Sequence, residues 1–532
     1  MAIFPKLVQK PPKMAHHNLD HYFRDSFAVG PIVPILVEPV NAGDDKYLDF
    51  NSLVNTQALL SPLYGSYKLK IEVFFAGISL YCPKLWRNGT MKVSATGKLD
   101  VNFPTFPAKA ASGSMYRVDP SSLLAHLGYP GDYSLADGQQ HNAIPLLMYW
   151  DIFRHYYANR QEDRFPIFGG FSESGVFAWE RLSDLDDAFL TLPVNGGALG
   201  FTPGFTESFG QCHLPLGGYA LRTYMPDMMN VILNSEFYEK NVASVQVSTA
   251  GDTFQIDQFV TAKKLWNSMN KDALSNGTFK DWVRIHFGVT PKIMDDMPTF
   301  LGSTTTDIIF EDIRATTSAN LGDGEKQYLG DKGSSGLGYA GSRRFHFVAD
   351  RPGYIMAVAS IVPSVDYYQR LERWTLHTKL SDMFDPDFNG IGLQDVLVSD
   401  LCASQYPSDR WVQQDFQQAQ ATQKRSFENS VGKQPAFIEY MTAVNRIRGS
   451  FCTTERSWVL ARDFLKELPL VNPNDTINEG PVGNIITSAY IDPTIWNQSF
   501  AVQSPDAMNF LVQFHITNRT RSTVLKRIMP HL

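Results

Sequence analysis

The 532-residue chain lacks most of the features that mark large functional classes. Its four cysteines, Cys82, Cys212, Cys402 and Cys452, are far apart and never in CxxC spacing. That removes zinc-ribbon and thioredoxin-type chemistry and leaves buried, reduced thiols as the reading. No apolar run reaches the ~20 residues of a membrane span. The longest candidate, 353–365, is short and contains Ser360 and Pro363. The opening MAIFPKLVQKPPKMAHH has no continuous apolar core, so it does not read as a secretory signal. Charge is also sparse: 47 basic against 54 acidic residues, a net charge of −7. A surface basic throughout is thereby excluded, and only local basic patches remain available to nucleic acid. There is no P-loop, no HExxH and no GxSxG elbow.

What the chain does have is apolar and aromatic bulk. Hydrophobic residues make up 43% and aromatics 13%, with 36 Phe, 22 Tyr and 9 Trp, the composition of a globular protein with an ample core. The aromatics fit core packing, subunit interfaces or stacking on unpaired bases, and composition alone does not choose among these. The length suggests roughly three to four domains unless one large all-β unit carries long loops.

Along the chain, residues 1–25 read as a basic arm with Lys6, Lys10, Lys13 and Arg24 and three histidines against the acids Asp20 and Asp25, in which Pro5, Pro11 and Pro12 discourage helix. Ser26–Glu38 is apolar but interrupted by Pro31 and Pro34, as in an edge strand. Tyr67–Cys82 starts with clean alternation, Leu69, Ile71, Val73 and Phe75 against Lys68, Lys70 and Glu72, and reads as a strand. Ile144–Arg160 changes to a helical period, with Pro145 suited to a first turn. Pro226–Glu236 and Thr253–Leu274 also read as helices, and Thr278 and Asp281 form a capping box for a short helix ending near Gly288. Residues 83–140 and 302–342 read as loops. Arg344–Ile361 reads as a hairpin about Arg351-Pro352-Gly353, and Asn509–Thr517 as a last strand. Strands at both ends with helices and loops between suit a β-sandwich with large insertions, about 83–342 and 375–508, behind the arm of residues 1–25.

The chemical motifs are weak. Gly336-Leu337-Gly338-Tyr339-Ala340-Gly341 matches GxGxxG, but the strand–turn–helix context of a dinucleotide site is missing, so it reads as a flexible glycine loop. His16, His17 and His21 sit among prolines without an acidic partner and read as part of the arm rather than a metal site. Asp382, Asp385 and Asp387 lack the EF-hand pattern and read as a turn. Glu180, Asp184, Asp186 and Asp187 read as a solvated charge run. No catalytic, metal or organic-cofactor site is expected.

The second half resembles the major capsid proteins of microviruses, especially the gokushovirus-like and Bacteroidetes-associated branches. Gly353–Ile361, then Pro363 and Asp366–Trp374, is similar to the family's strand followed by Tyr-Gln-x-Gly-Leu-x-Arg-x-Trp, with Arg370 where glycine is usual. Asp385–Phe388 and Ile391-Gly392-x-Gln394 resemble its Pro-x-Phe and Leu-Gly-x-Gln. Val431–Tyr440 resembles its Gly-Tyr-Gln-x-x-Trp-x-Glu-Tyr, with Lys433 and Phe437 replacing common aromatics. Tyr149–Tyr157, Leu221–Asp227, Asp257–Trp282 and Arg519–Pro530 add to the match, which spans much of the chain from about residue 20 onward.

The resemblance implies a mainly β chain with a single eight-stranded jelly-roll sandwich and long inter-strand insertions containing several helices. It implies a structural protein of the virion, not an enzyme, assembled in the bacterial host cytoplasm through pentamers into a T=1 icosahedral shell around circular single-stranded DNA. A scaffolding protein, a small basic DNA-binding protein and a pilot protein are the implied partners, with no membrane. The competing reading is a jelly-roll carbohydrate-binding protein or glycoside-active enzyme, which would need a concave aromatic face with a carboxylate pair. The residues expected to meet nucleic acid are the basic ends: Lys6, Lys10, Lys13, Arg519, Arg521, Lys526 and Arg527. For the C-terminal arginines, pairing with acids of a neighbouring subunit is the alternative.

Overall fold

The computed structural model of the chain describes residues 13–81, 103, 105–107, 116–117, 123–129, 134–135, 140–157, 165–168, 177–180, 212–216, 219–223, 283–284, 286–289, 297–314, 319–320, 326–327, 332–339, 344–380, 383–386, 393–401, 430–462, 491, 496–503 and 507–526. Ten strands build the main sheet: β1 (Ala15–Asn18), β2 (His21–Phe27), β3 (Ile32–Val40), β4 (Asp45–Thr56), β5 (Tyr67–Gly77), β6 (Thr299–Arg314), β7 (Lys332–Tyr339), β8 (Arg344–Val348), β9 (Gly353–Pro363) and β10 (Phe510–Ser522). β1 and β2 line one side of β10, and β7 and β8 line one side of β4. Taking each such pair as one position gives eight, all antiparallel, in the order β1/β2–β10–β4–β7/β8–β6–β5–β9–β3.

The sheet folds over at β6. Residues 299–308 of this strand pair with β5, and 309–314 pair with β7. Two four-position layers result, β1/β2–β10–β4–β7/β8 and β3–β9–β5–β6, the arrangement of a jelly roll. Aromatics fill the space between them. The ring of Tyr67 on β5 lies 5.1 Å from that of Phe510 on β10, and Phe75 on β5 lies 4.6 Å from Phe347 on β8, though neither pair is on hydrogen-bonded neighbours. Phe27, Phe50 and Phe514 are fully buried in the same core. The chain is thus mainly β, with a curled antiparallel sheet and minor helices.

Burial explains why some strands alternate and others do not. β10 buries Phe510, Val512, Phe514 and Ile516 and turns Leu511, Arg519 and Arg521 outward; β4 does the same with Leu48, Phe50 and Val54 against Tyr47 and Leu53. β5 and β9 are buried on both faces over most of their length, as a strand covered by two layers must be. The second cover is α1 (Ile144–Ile152), which continues into a π-helical turn, Phe153–Tyr157. Phe74 on the outer face of β5 meets Tyr156 at 4.9 Å, and the Tyr149 hydroxyl donates to the Ile32 carbonyl at 2.9 Å. Glu72 on the same face pairs with Lys70 at 2.8 Å and accepts from the Tyr157 hydroxyl. Burial and the charge of Glu72 push that hydroxyl well above its ordinary range.

β3 is the edge of its layer and carries Pro34 and Pro39, which an edge strand tolerates on its unpaired side. Prolines five apart would point their nitrogens in opposite directions on a regular ladder. The register shift at Ala357/Val358 leaves Ile35 without an opposite residue, and this returns both prolines to the same side.

Several local expectations are corrected. Residues 302–342 are not all loop: the Thr- and Ile-rich β6 and the glycine-rich β7 both lie there. The first insertion therefore runs from residue 78 to 298, between β5 and β6, and not over 83–342; the second runs from 364 to 509, between β9 and β10. The GxGxxG segment is no flexible loop over residues 336–339. Cβ atoms at Gly336 and Gly338 would lie 2.6 Å from the Phe310 ring and 3.0 Å from Ile308, so these glycines admit neighbouring core side chains. Arg344–Ile361 is no hairpin: β8 pairs with β4 while β9 pairs with β3 and β5, and residues 349–352 carry the chain from one layer to the other. The strand from Tyr67 stops at Gly77, where a helical turn, Ile78–Tyr81, begins. Gly288, at φ +74°, ends a helical turn as expected, its N–H donating to the Arg284 carbonyl. Pro226–Glu236 and Thr253–Leu274 lie outside the described residues. No helix among the described residues is long and apolar enough to cross a membrane.

Candidate nucleic-acid interface

α1 and its π-helical turn lie on the outside of the β3–β9–β5–β6 layer, whereas the outward side chains of β1, β2, β10, β4 and β8 are exposed or half-buried. Register sets these side chains in rows across the strands. One row is Asn18–Arg519–Tyr47–His346, and the next is His16–Arg521–Asp45–Val348. On the other side of the first come Thr517–Asp49–Arg344, then Tyr22–His515–Asn51, then Arg24–Gln513–Leu53. Successive rows are about 7 Å apart, two residues of strand rise.

Four guanidinium groups (Arg24, Arg344, Arg519 and Arg521) meet two carboxylates, Asp45 and Asp49, on this face of a chain with a net charge of −7. Asp45 is held by His346, 2.7 Å away, and Arg24 donates to the Gln513 side-chain oxygen at 2.9 Å. No ion pair joins Arg344, Arg519 or Arg521 to any other described residue. Two aromatic–imidazole stacks lie on the same face. Tyr22 and His515 have ring centroids 4.7 Å apart at an interplanar angle of 26°; Tyr47 and His346 are at 4.4 Å and 18°. The tyrosines stay accessible, Tyr22 58% and Tyr47 47% exposed. Fixed cations beside accessible rings are what a single strand needs: the cations meet phosphates and the rings meet bases, without reading sequence.

Of the basic residues singled out from sequence, Arg519 lies within this face and Arg521 in its outermost row, and Lys13 and Lys526 are exposed at that same end. β1 runs antiparallel to the end of β10, Ala15 facing Ser522, and the His17 ring bonds the Val524 carbonyl at 2.6 Å, so both basic ends leave from the same corner. Lys6, Lys10 and Arg527 lie outside the described residues. Tyr22, Tyr47, Arg344, His346 and His515 were not anticipated. The signal for Tyr47 in the sequence is the alternation of Asp45–Thr56, with Leu48, Phe50 and Val54 against Tyr47, Asp49 and Leu53.

The other sequence candidates do not converge. His16 and His17 lie on β1 and His21 on β2, and no group of three or more His, Cys, Asp or Glu side chains arranged to hold a metal is found among the described residues. Of the Asp382, Asp385 and Asp387 group only Asp385 is described, and of the Glu180–Asp187 run only Glu180, in a ribbon strand, Phe177–Glu180. The segments that carried the family resemblance do come together. Asp366–Tyr367 pairs with Asn445–Arg446, and Leu393–Leu397 with Ser430–Pro435, placing Gln394 opposite Gln434. Arg373 holds both carboxylate oxygens of Asp400 at 2.5 and 3.0 Å, and this hydrogen bonding raises its guanidinium above the usual range. That is a bidentate structural clamp within the second insertion.

No curated protein matches the chain. The family model of the capsid protein (F protein) matches residues 9–165 and 235–513, well over half of the chain and most of its jelly roll. With that match, the jelly-roll strand order and the convergence of the resembling segments, the chain belongs to the capsid protein (F protein) family, the major capsid proteins of microviruses.

Proposed function

We propose that the chain assembles through pentamers into a T=1 icosahedral shell around a circular single-stranded DNA genome, with the open face of the β1/β2–β10–β4–β8 layer and both basic ends turned toward that genome. The observation that carries this reading is the asymmetry of the jelly roll. One layer is covered on its outside by an insertion, and the other presents a bare face on which arginines outnumber carboxylates. Insertions of this length supply the area that heterologous contacts around closed symmetry axes require. Lys6, Lys10, Lys13, Arg519, Arg521, Lys526 and Arg527 then neutralise phosphates. A scaffolding protein, a small basic DNA-binding protein and a pilot protein complete assembly in the host cytoplasm, and the chain itself catalyses nothing and holds no cofactor.

Negative-stain microscopy of the expressed chain, with its scaffolding protein co-expressed, tests the shell. Closed particles or pentamers are expected; monodisperse monomers that bind or cleave glycans would overturn the reading. Joint charge reversal, Arg519→Glu with Arg521→Glu, tests the genome-facing assignment. Empty shells should still form while filled particles fail. If empty shells fail as well, these arginines belong to a subunit contact.

A further inference from the structure

Resting on the genome-facing reading, we propose that the two tyrosine–imidazole stacks on the open sheet face, Tyr22 with His515 and Tyr47 with His346, are docking platforms for unpaired bases, so that the shell subunit selects single-stranded over duplex nucleic acid. Each stack is already two rings deep, and its tyrosine is accessible. Beyond His515 comes Asn51, whose amide can bond a base edge, and beyond Tyr47 comes Arg519, a phosphate partner. The Arg24 guanidinium lies 5.6 Å from the Tyr22 ring centroid, a cation beside the accessible ring.

The spacing suits an extended strand. His515 and Arg519 are four residues apart on β10, about 13 Å at the usual rise, a span of two or three nucleotides. Arg344 and Arg521 flank that track without ion pairs to other described residues. Cross-strand aromatic pairs also stabilise a sheet, by at most about 1 kcal/mol each. That role accounts for ring contact within a pair. It does not account for two such pairs held beside Arg24, Arg344, Arg519 and Arg521 with their tyrosines accessible. A duplex, with its bases stacked inside, could use only the arginines.

The test uses the full chain and two probes, a short oligothymidylate and a hairpin duplex closed by a base-free linker, of equal phosphate number. Oligothymidylate should bind about tenfold or more tighter than the hairpin, because only unpaired bases reach the rings. Tyr22→Leu with Tyr47→Leu should weaken oligothymidylate binding on the order of thirtyfold for two bases, and leave hairpin binding unchanged. The slope of affinity against salt should not move in that variant. Arg519→Gln with Arg521→Gln should instead lower the slope by about 1 to 1.5. Tyr22→Phe with Tyr47→Phe preserves the rings and should preserve affinity, which guards against a general effect on folding. Equal, salt-dependent binding of both probes, or a Phe variant as weak as the Leu variant, would overturn the stacking proposal while leaving the genome-facing reading in place. Failure to bind either probe at low salt would overturn both. Loss of shell assembly in the Leu variant with unchanged DNA binding would assign the face to a neighbouring subunit and overturn the proposal.

Discussion

The two layers of the jelly roll have the same number of strand positions and share β6, yet they are built on opposite rules. In the β3–β9–β5–β6 layer, β5 and β9 bury both faces, and even Glu72 is enclosed and partnered by Lys70 and Tyr157. In the other layer β4 and β10 bury only alternate residues and leave arginine, tyrosine and histidine on the surface. An outward position is therefore core in one layer and solvent in the other. Fold stability is concentrated where the insertion packs, and the bare layer is free to carry surface chemistry.

Substitutions at matched outward positions should show that contrast most strongly. Phe74→Ala, on the outer face of β5, removes contacts with Tyr156, Tyr157 and Phe300 and should cost about 3–5 kcal/mol by denaturant unfolding. Leu511→Ala, on the outer face of β10, should stay within about 0.5 kcal/mol. Equal costs would dissolve the comparison. Next, a Cβ at Gly353 would lie 2.3 Å from the Ala76 carbonyl oxygen, so Gly353→Ala should force backbone movement between β9 and β5 and cost about 1–3 kcal/mol in the same assay. Tyr157→Phe removes one partner of the enclosed Glu72 carboxylate and should cost about 1–2 kcal/mol. Arg519→Glu with Arg521→Glu, on the bare layer, should change thermal stability by no more than about 0.5 kcal/mol.

The smallest effect concerns pH. Burial lowers the His141 pKa below its ordinary value, so the folded state favours the neutral ring. The unfolded chain then takes up the proton first as pH falls. Stability should be full above about pH 6.5, the unfolded value, and should decline below it. His141→Gln should flatten that part of a stability–pH profile; an unchanged slope would reassign it to other groups.

How legible each layer was in the sequence follows from the same contrast. β10 was found because Asn509–Thr517 alternates, and α1 because its period changes at Ile144. The strand at Tyr67 was found from its first residues, where Lys68 and Lys70 still mark an outer face. β6 escaped because Ser303–Thr306 reads as loop unless the Ile and Phe that follow are counted with it. β7 escaped because its glycines resemble a linker, while the side chains that need their space, Phe310 and Ile308, come from another strand. The hairpin at Arg351 was misread because a turn looks the same in sequence whether the chain returns to the same layer or crosses to the other. Arg519 and Arg521 were legible as charge. The rings beside them were not, since Tyr22 meets His515 and Tyr47 meets His346 only through long-range register.

The offset prolines of β3 bear on how such a chain survives being made in quantity. A capsid subunit accumulates to high local concentration, and a long exposed strand edge at that concentration seeds fibres that compete with closed particles. Two positions on the free side of β3 have no N–H to offer an incoming strand, and the single unpaired residue between them, Ile35, is what keeps both on that side. Replacing both, Pro34→Val with Pro39→Val, would put N–H donors back on that side of the strand. The fault would surface as amorphous or fibrillar precipitate during expression, a failure of yield more than of architecture.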